Sequence, residues 1–223
     1  MSDLFNIFLD SYPQLLEGLF ITIILTVVTS ITGTILGVFL SLGKIYGNKY
    51  VSRITTAFIG IIRGTPLLVQ LFIIYFGLPQ YGIRPSALMA AFISFTINSG
   101  AYQAEYLRGS IQSISSGQLK AAFSLGMSRW QGIFNIILPQ ALRRVIPAWT
   151  NEFIYLLKYT SLAYMIGAEE IMAKAKYIAS RNYEYFKVYI IVAFLYLIVV
   201  LFFTSIFSLI EKKVSIPGFE FKR

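Results

Sequence analysis

From Val188 to Ile210 the chain carries no charged side chain, and from Leu15 to Leu42 it carries only Glu17. About 20 mainly apolar residues cross a bilayer as one helix, so each run is long enough to span, the first with tilt. Three further runs are similar: 54–78, interrupted by Arg63-Gly64-Thr65-Pro66; 86–107, with Asn98 and Ser99 inside; and 145–167, with Glu152 and Lys158 inside. The composition agrees, at 57% hydrophobic and 13% charged residues, where soluble domains carry roughly 25% charged residues. These runs predict an all-α integral membrane protein. The expectation is five transmembrane helices in a single transmembrane domain, residues 1–223, with one long polar loop at 108–144.

The remaining segments are short. Residues 1–13 place Leu4, Phe5, Phe8 and Leu9 on one side, which suits an interfacial helix lying on the membrane. No basic stretch precedes the first apolar run, so a cleaved signal peptide is not expected. Gly33 and Gly37 form a small-xxx-small spacing that lets helices approach. Pro79, Gly82 and Pro85 mark a turn after the second run. Residues 168–187 are polar and tyrosine-rich, with Tyr177, Tyr183, Tyr185 and Phe186 suited to the membrane–water interface. Glu211–Arg223 is a short basic tail.

Five spans put the termini on opposite sides, and Lys and Arg decide which. With the N-terminus outside, twelve of the 19 basic residues lie inside: Lys44, Lys49, Arg53, Arg108, Lys120, Arg129, Arg143, Arg144, Lys212, Lys213, Lys222 and Arg223. Only Arg84, Lys174, Lys176, Arg181 and Lys187 lie outside. The bias predicts N-outside, C-inside. It also accounts for the net charge of +9 without any nucleic-acid partner.

The chain has no cysteine and no histidine, which removes disulfides, thiolate metal sites and imidazole catalysis. No paired-carboxylate cluster falls within the spans, so a membrane-embedded enzyme is disfavoured. Gly43-Lys44, the one Gly-Lys pair, is followed by Ile45 and lacks the earlier glycine of a phosphate-binding loop. Any ATP energy must come from a partner.

The inside loop predicts a short helix over 118–125, ended by Gly126. A second helix follows from Ser128, with Trp130, Ile133, Phe134 and Ile137 on its apolar side, and Pro139 breaks the chain after it. Such a knob suits a groove on a partner; a connector lying on the membrane is the alternative. The spacing Lys120-Ala121-Ala122, three residues, Gly126, nine residues, Ile136-Ile137-Leu138-Pro139 resembles the EAA loop of ABC importer permeases. Arg63–Gln70, Ile97–Tyr102 and Asn151-Glu152-Phe153 resemble the polar amino-acid branch of that family, and the likeness covers nearly the whole chain.

The resemblance implies a type I ABC importer-like fold, in a prokaryotic inner or plasma membrane. Its coupling helix (Lys120, Ala121, Ala122, Ser124, Leu125, Gly126) docks on a separate ATP-binding subunit, which holds ATP and Mg; this chain binds no cofactor. A second permease subunit, identical or related, and an extracytoplasmic amino-acid-binding protein complete the assembly. Position 120 departs from the pattern: lysine stands where the family has glutamate. Either the partner's cleft carries a compensating carboxylate or the position lies at a tolerant rim.

Ionisable groups inside spans are costly and mark function. Glu152 and Lys158 lie roughly 12 and 21 Å beyond Arg144 along one helix at 1.5 Å per residue. Six residues apart, they point to different faces and are poor partners for each other. The arrangement suits a zwitterionic polar amino acid, with Glu152 toward an ammonium, Lys158 toward a carboxylate, and Thr160 and Ser161 adding hydroxyls. The structural alternative pairs Glu152 with an arginine of another helix and lets Lys158 snorkel. Asn98 and Ser99 are further candidate contacts, although interhelical hydrogen bonding is the better reading for both. Arg63, beside Gly64 and the kinking Pro66, is read as structural, and Glu105 with Arg108 as a local ion pair.

An importer permease and a stand-alone channel or secondary transporter remain as functions. The protruding loop and the small number of spans favour the first. A reporter fused after Arg223 is expected to be active only in the cytoplasm; an external tail overturns the topology.

Overall fold

The computed structural model describes residues 2–214, and among them the fold is helical throughout with no strand. The tail residues Lys222 and Arg223, used in the charge count, lie outside the described residues. Helix α1 runs unbroken from Ser2 to Tyr46 with Pro13 inside it, so the separate interfacial helix expected at 1–13 does not form. The reason is packing. Ile7, Phe8, Leu15 and Leu19 recur on one helical face and all seat on the same core of Ile171, Ala175, Ile178 and Val188.

Helix α2 (Lys49–Gly64) is capped by Asn48, whose side chain accepts from the backbone of Tyr50 and Val51. It then breaks. Thr65 is extended (φ −116°, ψ 143°), as steric clash with a following proline demands, and α3 (Leu67–Phe72) departs at 105°. The run read as one kinked span is therefore an elbow. A π turn (Ile73–Gly77) and a 3₁₀ turn ending at Gly82 (φ 81°) continue α3. Helix α4 (Ala87–Gln112) is capped by Ser86.

Two helices, α1 from Leu4 and α9 (Tyr185–Val214), are long and apolar enough to cross a membrane alone, and the elbow is a candidate broken span. α1 packs most extensively on α4, and glycine permits it. A Cβ on Gly37 would lie 2.9 Å from the Gln103 Cβ and 3.1 Å from the Gly100 carbonyl oxygen; one on Gly33 would lie 3.1 Å from the Ser99 Cβ. The small-xxx-small spacing is thus a helix crossing. Hydroxyls fasten it: Thr32 meets Thr96 at 2.9 Å, and Thr34 donates to the Gln103 side-chain Oε1 at 2.7 Å.

The knob consists of α5 (Ser116–Ser124) and α6 (Arg129–Gly132). Gly126 (φ 79°) ends α5 as expected, with Gly126 N–H bonded to the Phe123 carbonyl and Met127 N–H to the Ala122 carbonyl, a paired C-terminal cap. Ser128 and Gln131 form a reciprocal capping box on α6. The return is tight because Gly132 lies against Leu119 and Ala122.

Two expectations fail here. Ile133 and Ile137 are buried, but Trp130 and Phe134 are 52% and 51% exposed and stack on each other at 5.9 Å. Pro139 does not break the chain. It sits at the start of α7 (Leu138–Tyr159), directly after a π turn at Ile133–Ile137 that joins α6 to α7 without a break. Helical spacing keeps Ile133 and Ile137 together on the buried side and Trp130 and Phe134 together on the exposed one. A 3₁₀ turn (Thr160–Ile166) and α8 (Ile171–Asn182) then lead to α9.

Gly37→Ala is expected to destabilise the protein by about 1–3 kcal/mol through overpacking. Gly60→Ala, where a Cβ meets nothing within 4 Å, is expected to be neutral or slightly stabilising. Thermal unfolding in detergent compares the two.

Candidate functional site

The elbow opens a cleft of about 550 Å³. One wall is the bend itself (Arg63, Gly64, Thr65, Pro66). The second is α4 through Asn98, Tyr102 and Tyr106. The third is α7 through Glu152, Tyr155 and Tyr159. Each helical wall follows from spacing: 98, 102 and 106 fall on one face, as do 152, 155 and 159.

Gln70 holds the bend open. Its side-chain amide donates to the Ile62 carbonyl at 2.7 Å, the Thr65 carbonyl at 3.0 Å and the Thr65 hydroxyl at 2.9 Å. These include carbonyls that the broken ladder strands. Its own carbonyl accepts from Asn98 at 3.0 Å, which ties the elbow to α4. Asn98 therefore both lines the cleft and makes the interhelical bond foreseen for it.

Glu152 is 7% exposed and accepts from the Tyr106 hydroxyl at 3.4 Å. Arg63 faces the same cleft, with its guanidinium 5.1 Å above the Tyr102 ring centroid. Arg63 and Glu152 do not close into an ion pair. Instead Glu105 gathers the cations: Lys44 at 2.6 Å, Arg108 at 2.9 Å and Arg63 at 3.8 Å. The local pair expected between Glu105 and Arg108 is thus part of a junction between α1, α2 and α4.

Other predicted contacts fall elsewhere. Lys158 is exposed and lies 4.7 Å over the Tyr155 ring, off the cleft lining. The Thr160 and Ser161 hydroxyls donate to the carbonyls of Leu157 and Lys158, each at 2.7 Å. Ser99 is the exception: buried, it accepts from Gln103 at 3.0 Å and lies beside the Glu152 carboxylate. On the knob, Lys120, Ala121, Ser124 and Leu125 are exposed, Leu125 at 80%, while Ala122 is buried.

Sequence reasoning quoted Gln70 and Tyr102 within longer motifs but gave them no role, and it passed over Tyr106, Tyr155, Tyr159 and Glu170. Glu170 is fully buried and caps α8 through Ala173 N–H at 2.9 Å. It also receives Tyr196 at 3.3 Å and Thr22 at 3.5 Å, joining α8 to α9 and α1. Beside it at the surface, Lys174 bridges Glu169 at 2.9 Å and Glu17 at 3.4 Å. The hydrogen bond to Glu169 raises the Lys174 ammonium above its ordinary value and holds the Glu169 carboxyl below its own. Among the described residues no three His, Cys, Asp or Glu side chains converge as a metal site.

Residues 33–216 match the family model described as "Binding-protein-dependent transport system inner membrane component". The probable amino-acid permease protein YxeN of Bacillus subtilis is 39% identical over 214 residues, covering 94% of this chain and 95% of that protein. The glutamine transport system permease protein GlnP of Escherichia coli is 36% identical, covering 92% and 94%. A crystal structure described as an amino acid ABC transporter with histidines superposes with a TM-score of 0.85 at 38% identity, covering 92% of this chain and 96% of that one.

Gln70→Leu leaves the elbow carbonyls without their donor. It is expected to cost about 1–3 kcal/mol, while Gln70→Glu removes the donor and adds a buried charge, and costs more. Thermal unfolding reads both; a neutral Gln70→Leu removes Gln70 from the elbow.

Proposed function

The chain belongs to the family of binding-protein-dependent transport system inner membrane components, and we propose that within it this protein is the permease subunit of an ATP-driven importer for a polar amino acid. The observation that carries the substrate reading is the cleft. It is open, of a size suited to a small ligand, and it presents a buried carboxylate and a guanidinium that do not pair with each other. A zwitterion is the ligand class for which such walls are complementary. The descriptions of the relatives, an amino-acid permease and a glutamine permease, support the same substrate class.

In this reading the chain crosses the inner or plasma membrane five times, at about 15–42, 54–78, 86–107, 145–167 and 188–210. Its N-terminus is outside and its C-terminus cytoplasmic. The elbow lets the second crossing bend around the cleft. Glu152 meets the ligand's ammonium and Asn98 lines the path. The knob docks in a separate ATP-binding subunit through Lys120, Ala121, Ser124 and Leu125, while Ala122 and Gly126 shape it. ATP and Mg belong to that subunit. A second permease subunit closes the pathway, and an extracytoplasmic binding protein delivers the amino acid. Nucleotide-driven movement of the docked knobs switches the pair between inward- and outward-open states, a bistable interface biased by ligand. A stand-alone channel is not favoured, because it gives an exposed, rigidly capped knob no role.

The test is co-expression with the neighbouring ATP-binding subunit and reconstitution in liposomes. Co-purification and ATP-dependent amino-acid uptake are expected. Leu125→Asp, at the exposed tip, is expected to reduce uptake by tenfold or more, the scale of an interface anchor, with thermal stability unchanged. Uptake that persists without any ATP-binding subunit sinks this reading.

A further inference from the structure

We propose that Arg63 is the specificity-determining cation of the cleft, reading the carboxylate of a zwitterionic amino acid whose ammonium meets Glu152. The inference rests on the importer reading above and deepens it. Sequence spacing assigned the carboxylate to Lys158, but Lys158 stands outside the cleft lining, over the Tyr155 ring. Arg63 lines the cleft together with Glu152. Its side chain is 40% exposed there, and the Tyr102 ring supports the guanidinium from one side.

The ion-pair geometry leaves Arg63 available. Glu105 is already bonded by Lys44 at 2.6 Å and Arg108 at 2.9 Å, while Arg63 reaches it only at 3.8 Å. Three cations surround one carboxylate, and Arg63 is the most loosely held. Turning it toward a ligand leaves Glu105 with two partners, so no carboxylate is stranded, which is the costly outcome of breaking a partly buried pair. The planar guanidinium fork fits a carboxylate with two parallel hydrogen bonds, a match that a lysine ammonium does not make.

The experiment uses the permease–ATP-binding subunit complex in nanodiscs, without the binding protein. The twenty L-amino acids are screened by thermal shift. The one with the largest shift is titrated by calorimetry against its C-terminal amide, which keeps the ammonium and side chain and removes the anionic end. Wild type is expected to bind the acid roughly tenfold or more tightly than the amide, the scale of one charge-assisted contact. Arg63→Gln is expected to bring the two within about twofold, mainly by weakening the acid, and Arg63→Lys to fall between. An Arg63→Gln complex that keeps the wild-type ratio overturns the proposal. So does a wild-type ratio near one, even if no variant assembles. If none of the twenty binds wild type, the importer reading itself fails and this proposal with it.

Discussion

The cleft exists because α2 and α3 meet at 105°, and that bend is sustainable only because its backbone is satisfied. Away from water an unpaired carbonyl is expensive. Pro66 removes one donor, Thr65 leaves helical geometry, and the last turn of α2 loses its ladder. Gln70 answers from α3 with an amide that reaches back to Ile62 and Thr65. The same side chain turns its carbonyl to Asn98. One glutamine thereby satisfies the bend and ties the elbow to α4, while Arg63, held against Tyr102 and Glu105 of α4, still lines the cleft.

The rest of the fold holds the opposite walls still. Between apolar helices in lipid there is little hydrophobic drive, so contact comes from close packing and interhelical hydrogen bonds. Both are present where α1 crosses α4. Gly33 and Gly37 remove the side chains that would separate the helices, and Thr32 and Thr34 bond across the gap. Trp149 of α7 donates to Thr34 at 2.8 Å, so the helix carrying Glu152 is fastened to the same crossing. Glu170 does the equivalent work where α1, α8 and α9 converge.

Much of this was legible before any coordinates. The apolar runs announce membrane helices, Gly126 announces the end of α5, and Glu152 declares itself as a lone carboxylate in an apolar run. The wall tyrosines were legible too, at 98-102-106 and 152-155-159, although nothing in their chemistry drew attention to them. Lys158 is instructive: six residues from Glu152 is most of a half-turn out of phase, and only Glu152 lines the cleft. Gln70 and Glu170 were not legible in this way. Gln70 matters only once the chain has folded back at Pro66. Apart from the Ala173 N–H that it caps, the partners of Glu170 lie 148 and 26 residues away, so no local pattern pointed to its role between helices. The continuation through Pro139 was hidden because a π turn has no compositional mark.

That continuation has a mechanical consequence. The knob does not hang from the membrane domain by a loop. From Arg129 onward α6, the π turn and α7 form one helical rod, and Gly132 and Glu152 are separated by roughly 30 Å of it at 1.5 Å per residue. Pro147, inside the rod, interrupts its ladder one turn short of Glu152. A displacement applied to the tip of the knob is therefore delivered along a strut rather than dissipated in a tether, and one proline of that strut, Pro147, lies just before the cleft. A thrust at the tip arrives at the carboxylate as a tilt.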